Sequence, residues 1–88
     1  MTNRVEHHCR VCGLFHEDPP WGEDNKTPTY DICPCCGVEF GYGDTTPDNA
    51  RALRHDWVEQ GCAWQEPREK PGGWDANSQM GIIPPRFR

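Results

Sequence analysis

The chain has 88 residues, 34% of them hydrophobic, with nine glycines, nine prolines and six cysteines. That length excludes more than one domain, and a domain this small buries only about 60% of the surface its unfolded chain exposes, so its core is marginal. The formal charge of -5 is lopsided, nine acids against three bases over residues 1–48 and five against six over 49–88, which disfavours general binding to phosphate backbones.

A staple is therefore expected, and the cysteines must provide it. The opening stretch, residues 1–8, has no apolar run of the kind that directs secretion, and no later run could span a membrane. The expectation is a cytoplasmic chain, where paired cysteines are metal ligands rather than disulfides.

Taken in order, Cys9-Arg10-Val11-Cys12-Gly13 reads as a metal-binding knuckle: two thiols three apart, and a glycine able to take the positive φ that aims both at one ion. His7 and His8 beside it could replace a thiol, but four cysteines already complete a closed site. His16-Glu17 matches no catalytic metal motif. The stretch from Glu17 to Pro28 reads as a solvent-facing loop, and Trp21 within it is singled out as a contact residue. Thr29 to Ile32 is β-prone and leads into a second knuckle, Cys33-Pro34-Cys35-Cys36-Gly37. After it, Val38, Phe40 and Tyr42 alternate with Glu39, Gly41 and Gly43, which predicts a short strand.

Thr46-Pro47-Asp48 starts a helix: a hydroxyl cap, proline in the first turn and an acid there. Ala50, Leu53 and Trp57 give it an inward stripe, Arg51 faces out, and Gly61 ends it. Cys62-Ala63-Trp64 turns back. Asp75 can cap a helical turn over Ala76 to Met80, with Trp74 beneath it, and the tail from Gly81 onward is read as extended or frayed. The division is one domain over 1–88: knuckles in 7–45, helix in 46–61, and a C-terminal loop and tail in 62–88.

Twenty residues separate Cys12 from Cys33, close to the spacing of zinc sites built from two Cys-x-x-Cys pairs. Cys9, Cys12, Cys33 and Cys36 are thus the expected ligands of one Zn(II), with Fe as the alternative because the same four sulfurs serve either metal. Cys35 stands too close to Cys33 for the knuckle turn and is assigned to packing, as is Cys62 beside Trp64.

The chain resembles a family of small bacterial cysteine-rich proteins known for a CPCC motif. The resemblance rests on Cys9-x-x-Cys12-Gly13, Asp18-Pro19-Pro20, the run from Tyr30 to Tyr42 with Asp44, Leu53-Arg54-x-x-Trp57-Val58-x-x-Gly61-x-x-Trp64, and Trp74-Asp75. It implies a zinc-ribbon domain with an attached helix in a cytosolic bacterial protein, and implies no activity. Arg10 stands where many relatives carry proline. The knuckles are also similar to those of rubredoxins, which implies iron and electron transfer.

The fold class expected is a small metal-stapled α+β protein, with short strands at the knuckles, one amphipathic helix and an irregular C-terminal segment. The function expected is a structural zinc ribbon acting as a protein-interaction module, with Trp21, Arg51 and Arg54 as candidate contacts and a protein as partner. No catalytic constellation is visible, and no small-molecule substrate is evident. A nucleic-acid role through Arg51, Arg54, Arg68, Lys70, Arg86 and Arg88 is the weaker alternative, because that half is nearly neutral.

Overall fold

The computed structural model describes residues 4–88. The first three residues of the opening stretch, which bear on the reading of a missing secretion leader, lie outside them. The described chain has a radius of gyration of 12.2 Å. Two α-helices, α1 (Pro47–Glu59) and α2 (Ala76–Met80), and two 3-10 turns, Pro67–Glu69 and Pro85–Phe87, are its helical elements. Among the described residues no helix is long and apolar enough to cross a membrane.

The N-terminal half is held by turns instead of ladders. The strand predicted over residues 38–42 does not form: among the described residues, β-pairing is limited to the isolated bridges His8 to Phe15 and Ile32 to Glu39. The reason is local. On one arm Tyr30 adopts a left-handed φ of 64°, which breaks the extended backbone. On the other, the Tyr42 amide donates to the Glu39 carbonyl at 3.0 Å, and Gly41 turns at φ 97°. Val38 and Phe40 are still buried, whereas Tyr42, the third member of the alternation, is 74% exposed.

Helix α1 begins where its signals lie. The Thr46 hydroxyl accepts from the Asn49 amide at 3.2 Å, and Pro47 occupies the first turn. At the other end the Gly61 amide donates to Val58 O at 3.0 Å and the Cys62 amide to Trp57 O at 2.9 Å, with Gly61 at φ 85°. These are the two bonds of a left-handed glycine cap. The inward stripe is narrower than the sequence suggests. Ala50 and Trp57 are buried, but Leu53 is 36% exposed, because Arg54 occupies the face toward the first knuckle.

Tryptophans assemble the second half. The Trp74 ring meets Trp57 and Trp64 edge-on, with centroids 6.2 and 5.4 Å apart. Asp75 caps α2 by accepting from the Ser78 amide at 2.9 Å. The tail, expected to be extended or frayed, is instead anchored, with Ile83 and Phe87 buried in the core and Phe87 closing a 3-10 turn. Two branched or aromatic side chains offset the entropy of ordering these last residues.

Candidate metal centre

Two copies of one backbone pattern build the site. In the first knuckle the Gly13 amide donates to Cys9 O at 2.9 Å and the Cys9 amide to Leu14 O at 2.9 Å; in the second, Gly37 donates to Cys33 O at 2.9 Å and Cys33 to Val38 O at 2.8 Å. One step further out, His16 donates to His7 O at 2.7 Å and Phe40 to Asp31 O at 3.0 Å. Every partner is matched 24 positions on, including both isolated bridges. Gly13 and Gly37 carry the turns at φ 88° and 82°, a region that side chains resist.

This repetition brings Cys9, Cys12, Cys33 and Cys36 together, with their sulfurs all within 4.8 Å of one another. Across the two knuckles, Cys9 Sγ lies 3.7 Å from Cys36 Sγ, and Cys12 Sγ lies 3.7 Å from Cys33 Sγ. Four thiolates at about 2.3 Å from a tetrahedral ion stand about 3.8 Å apart. Two of the sulfur separations thus already match what a metal requires, the others lie within 4.8 Å, and these four residues could hold one.

The same register settles Cys35. Twenty-four positions before it stands Val11, and both side chains are buried. Cys35 fills the second copy of a hydrophobic position, outside the four-sulfur cluster. Its sulfur accepts from Gln79 Nε2 at 3.4 Å. Cys62 is half-buried against the core, as a small apolar residue would be.

Electrostatics inside the cluster favour unequal thiols. Hydrogen bonding from Cys12 holds Cys33 far below the ordinary thiol range, with smaller help from Cys36 and Cys9 and from the nearby His16 ring. The same contact pushes Cys12 up, and burial adds to it. A cluster of buried thiols cannot ionise fully alone. A divalent cation reverses this by displacing their protons.

His16, which with Glu17 matches no catalytic metal motif, nevertheless lies at the site. Its Nε2 is buried and has no hydrogen-bond partner among the described residues, and its ring stands edge-on to Phe40, its counterpart in the repeat, at 5.1 Å. An orphaned donor beside the sulfurs fits a site that carries negative charge when loaded. Only a histidine four residues past Cys12 hinted at it. His7 and His8 do not join the cluster: their Nδ1 atoms lie 2.8 and 3.0 Å from the carbonyls of His16 and Gly13, and both rings pack on Phe15.

The C-terminal segment encloses the site. Gln79 Nε2 donates to Cys12 O at 3.1 Å as well as to Cys35, while its Oε1 accepts from Trp74 Nε1 at 2.8 Å. The Gln65 and Glu66 amides donate to Cys35 O and Pro34 O at 3.0 and 2.8 Å. A cavity of about 260 Å³, bounded in part by Val38, Leu53 and Trp57, opens beside α1 onto Cys36. Cys36 is the one ligand candidate that is not fully buried.

The expected contact residues fare differently. Trp21 is 8% exposed, not solvent-facing: its Nε1 donates to buried Asp44 at 2.8 Å, and Arg10 lies 4.1 Å above its ring. An indole amine next to a buried carboxylate is a packing element. Arg54 is also turned inward, donating to Val11 O at 2.7 Å, to Arg10 O at 2.9 Å and to Phe87 O. Arg51 remains on the surface, bonded to Asp48 and to Arg88 O at 3.2 and 2.6 Å.

Fold and site together define a small, compact, cysteine-rich protein with a four-thiol cluster able to hold a metal. Comparison with known sequences finds two homologues in Bacillus subtilis. The chain is 35% identical to the uncharacterized protein YoaQ, with 72% of this chain and 66% of YoaQ covered. It is 29% identical to the uncharacterized protein YozI, with 72% and 65% covered. The chain thus spans just under two thirds of the length of these relatives. No family model matches the chain, and no solved structure matches it.

Proposed function

We propose that the chain is a structural zinc protein, a ribbon-like pair of knuckles closed on one Zn(II), acting in the cytoplasm as a protein-interaction module. The 3.7 Å sulfur separations across the two knuckles carry this reading. Four thiolates complete a tetrahedral shell, so the ion has no open position for a substrate and supplies folding energy instead. With Trp21 and Arg54 turned inward, the surface left for a partner is Arg51 together with exposed apolar side chains near the knuckles, Phe15, Tyr30 and Ile32 among them.

Metal analysis of the chain purified from its own host tests the proposal. A colourless protein with one zinc per chain is the expected result. A red protein with a reversible one-electron wave would replace it with an iron electron carrier, since the donor set accommodates either ion. Co-purification at native expression, repeated with Phe15→Ser, then tests the interaction role. A bound protein that the substitution releases supports it.

A further inference from the structure

A second cavity, of about 600 Å³, lies away from the cysteines between the N-terminal segment and the loop that carries Trp21. Arg4, Arg10, Lys26 and Arg86 line it, against two acids, Glu6 and Asp24. This is a local excess of positive charge on a chain whose net charge is -5.

Both acids are already engaged. Glu6 Oε1 is held by Arg10 Nε at 3.0 Å. Asp24 accepts from the Lys26 and Thr27 amides at 2.8 and 3.0 Å and from the Thr27 hydroxyl at 2.9 Å. Arg4, Lys26 and Arg86 have no ion-pair partner among the described residues.

Arg10 makes the cavity more than a gathering of surface cations. It is 4% exposed, and its guanidinium is clamped between the Trp21 and Phe87 rings at 4.1 and 4.3 Å. Of its five N-H donors, one goes to Glu6 and one to Asn25 O at 3.3 Å. Arg10 is among the residues that line the cavity. Burying a guanidinium is costly, and its fixed fork suits bidentate capture of an oxyanion.

The wall is rigid for a structural reason. Asn25 sits at φ 59° and fastens the loop to the N-terminal segment: its Oδ1 accepts from the Glu6 amide at 2.8 Å, and its Nδ2 donates to Arg4 O at 2.7 Å. Left-handed backbone of this kind is found at ligand clamps. Polar groups fixed before the ligand arrives reduce the cost of binding it.

We propose that this cavity is a binding site for a small phosphate-bearing molecule, with Arg10 as the buried anchor and Lys26, Arg86 and Arg4 as the outer cations. The volume lies in the range of small-molecule sites, and Trp21 contributes to the lining. The site does not depend on which metal the cysteines hold.

Titration of the metal-loaded full chain with phenyl phosphate, followed by NMR, tests the proposal. Saturable shifts at the Trp21 indole and Arg10 Nε-H signals are expected, with phenol giving none. Lys26→Gln and Arg86→Gln, both surface changes, should each weaken binding about tenfold, the effect of losing one charge-assisted contact. Arg68→Gln, outside the cavity, should leave it unchanged. Absence of saturable shifts, equal shifts with phenol, or affinity untouched by both cavity variants would overturn the proposal. A short oligonucleotide that binds the same residues more tightly than phenyl phosphate would overturn the small-molecule assignment.

Discussion

Gly13 and Gly37 occupy equivalent turns, yet their surroundings differ. A Cβ on Gly13 would run into the backbone carbonyl of Gln79, whereas on Gly37 it would meet the Gln65 amide at 2.8 Å, the end of a flexible side chain. Both alanine variants pay the left-handed penalty of roughly 1–2 kcal/mol, and Gly13→Ala must also push α2 away. Thermal melts of the metal-loaded variants should place Gly13→Ala below Gly37→Ala, with both below the parent. Arg54 is the other residue of this kind. Its three carbonyl partners come from the first knuckle and the tail, so Arg54→Gln should cost about 2–4 kcal/mol in denaturant unfolding at fixed metal. A change within ~0.5 kcal/mol would return Arg54 to the surface role the sequence suggested. Nothing in the helical pattern betrayed it, because an arginine's stem packs as a hydrophobe would and its head satisfies carbonyls that only the fold brings near.

At the scale of elements, α1 was legible because its start and stop are local: Thr46, Pro47 and Gly61 act on neighbours within a few residues. The second-knuckle strand was misread because alternation reports which side chains are covered, not whether the backbone is paired. Val38 and Phe40 are covered without a ladder. The tail was misread for the opposite reason, since Ile83 and Phe87 find their partners in distant knuckles. For α2 the cap makes a pH statement. Hydrogen bonding from the Ser78 side chain, then its amide, lowers the Asp75 carboxyl below its ordinary value of 3.8. A depressed carboxyl adds stability that is present above the unfolded value and lost as pH falls through the folded one. The cap should therefore hold throughout the neutral range and fail only below about pH 3.8. Asp75→Ala at neutral pH removes the cap without acid effects elsewhere: Ser78 amide exchange should quicken, while Asn49 at the other cap stays protected.

For the whole molecule, the four-sulfur site was readable because Cys-x-x-Cys-Gly encodes its own turn, and two such turns need only meet. What remained hidden was how the site is enclosed, by His16, by Gln79 and by the edge-on contacts of Trp74 with Trp57 and Trp64. Gln79, Trp64 and Trp74 come from segments that sequence spacing does not link to the cysteines, and His16, though only four residues past Cys12, matches no ligand motif. If the cluster holds a metal as proposed, removing it with a chelator should unfold the first 45 residues, seen as loss of amide dispersion, and acidification should do the same as protons displace the metal from its thiolates. Retention of a dispersed spectrum after full demetallation would contradict the structural role of the ion.

The partly buried Cys36, beside the cavity along α1, gives the site a direction in time. A chelator or a thiol reagent cannot approach a closed tetrahedron evenly. It enters where one corner is open, so exchange of the ion should follow an ordered path that begins with the sulfur of Cys36 and leaves the first knuckle, beneath Gln79, for last. Brief treatment of the loaded protein with N-ethylmaleimide, mapped by mass spectrometry, should label Cys36 before Cys9, Cys12 or Cys33. Equal labelling of the four would mean that the domain opens as a whole before the metal leaves. The repeat that makes the two half-sites alike at equilibrium therefore does not make them alike in rate.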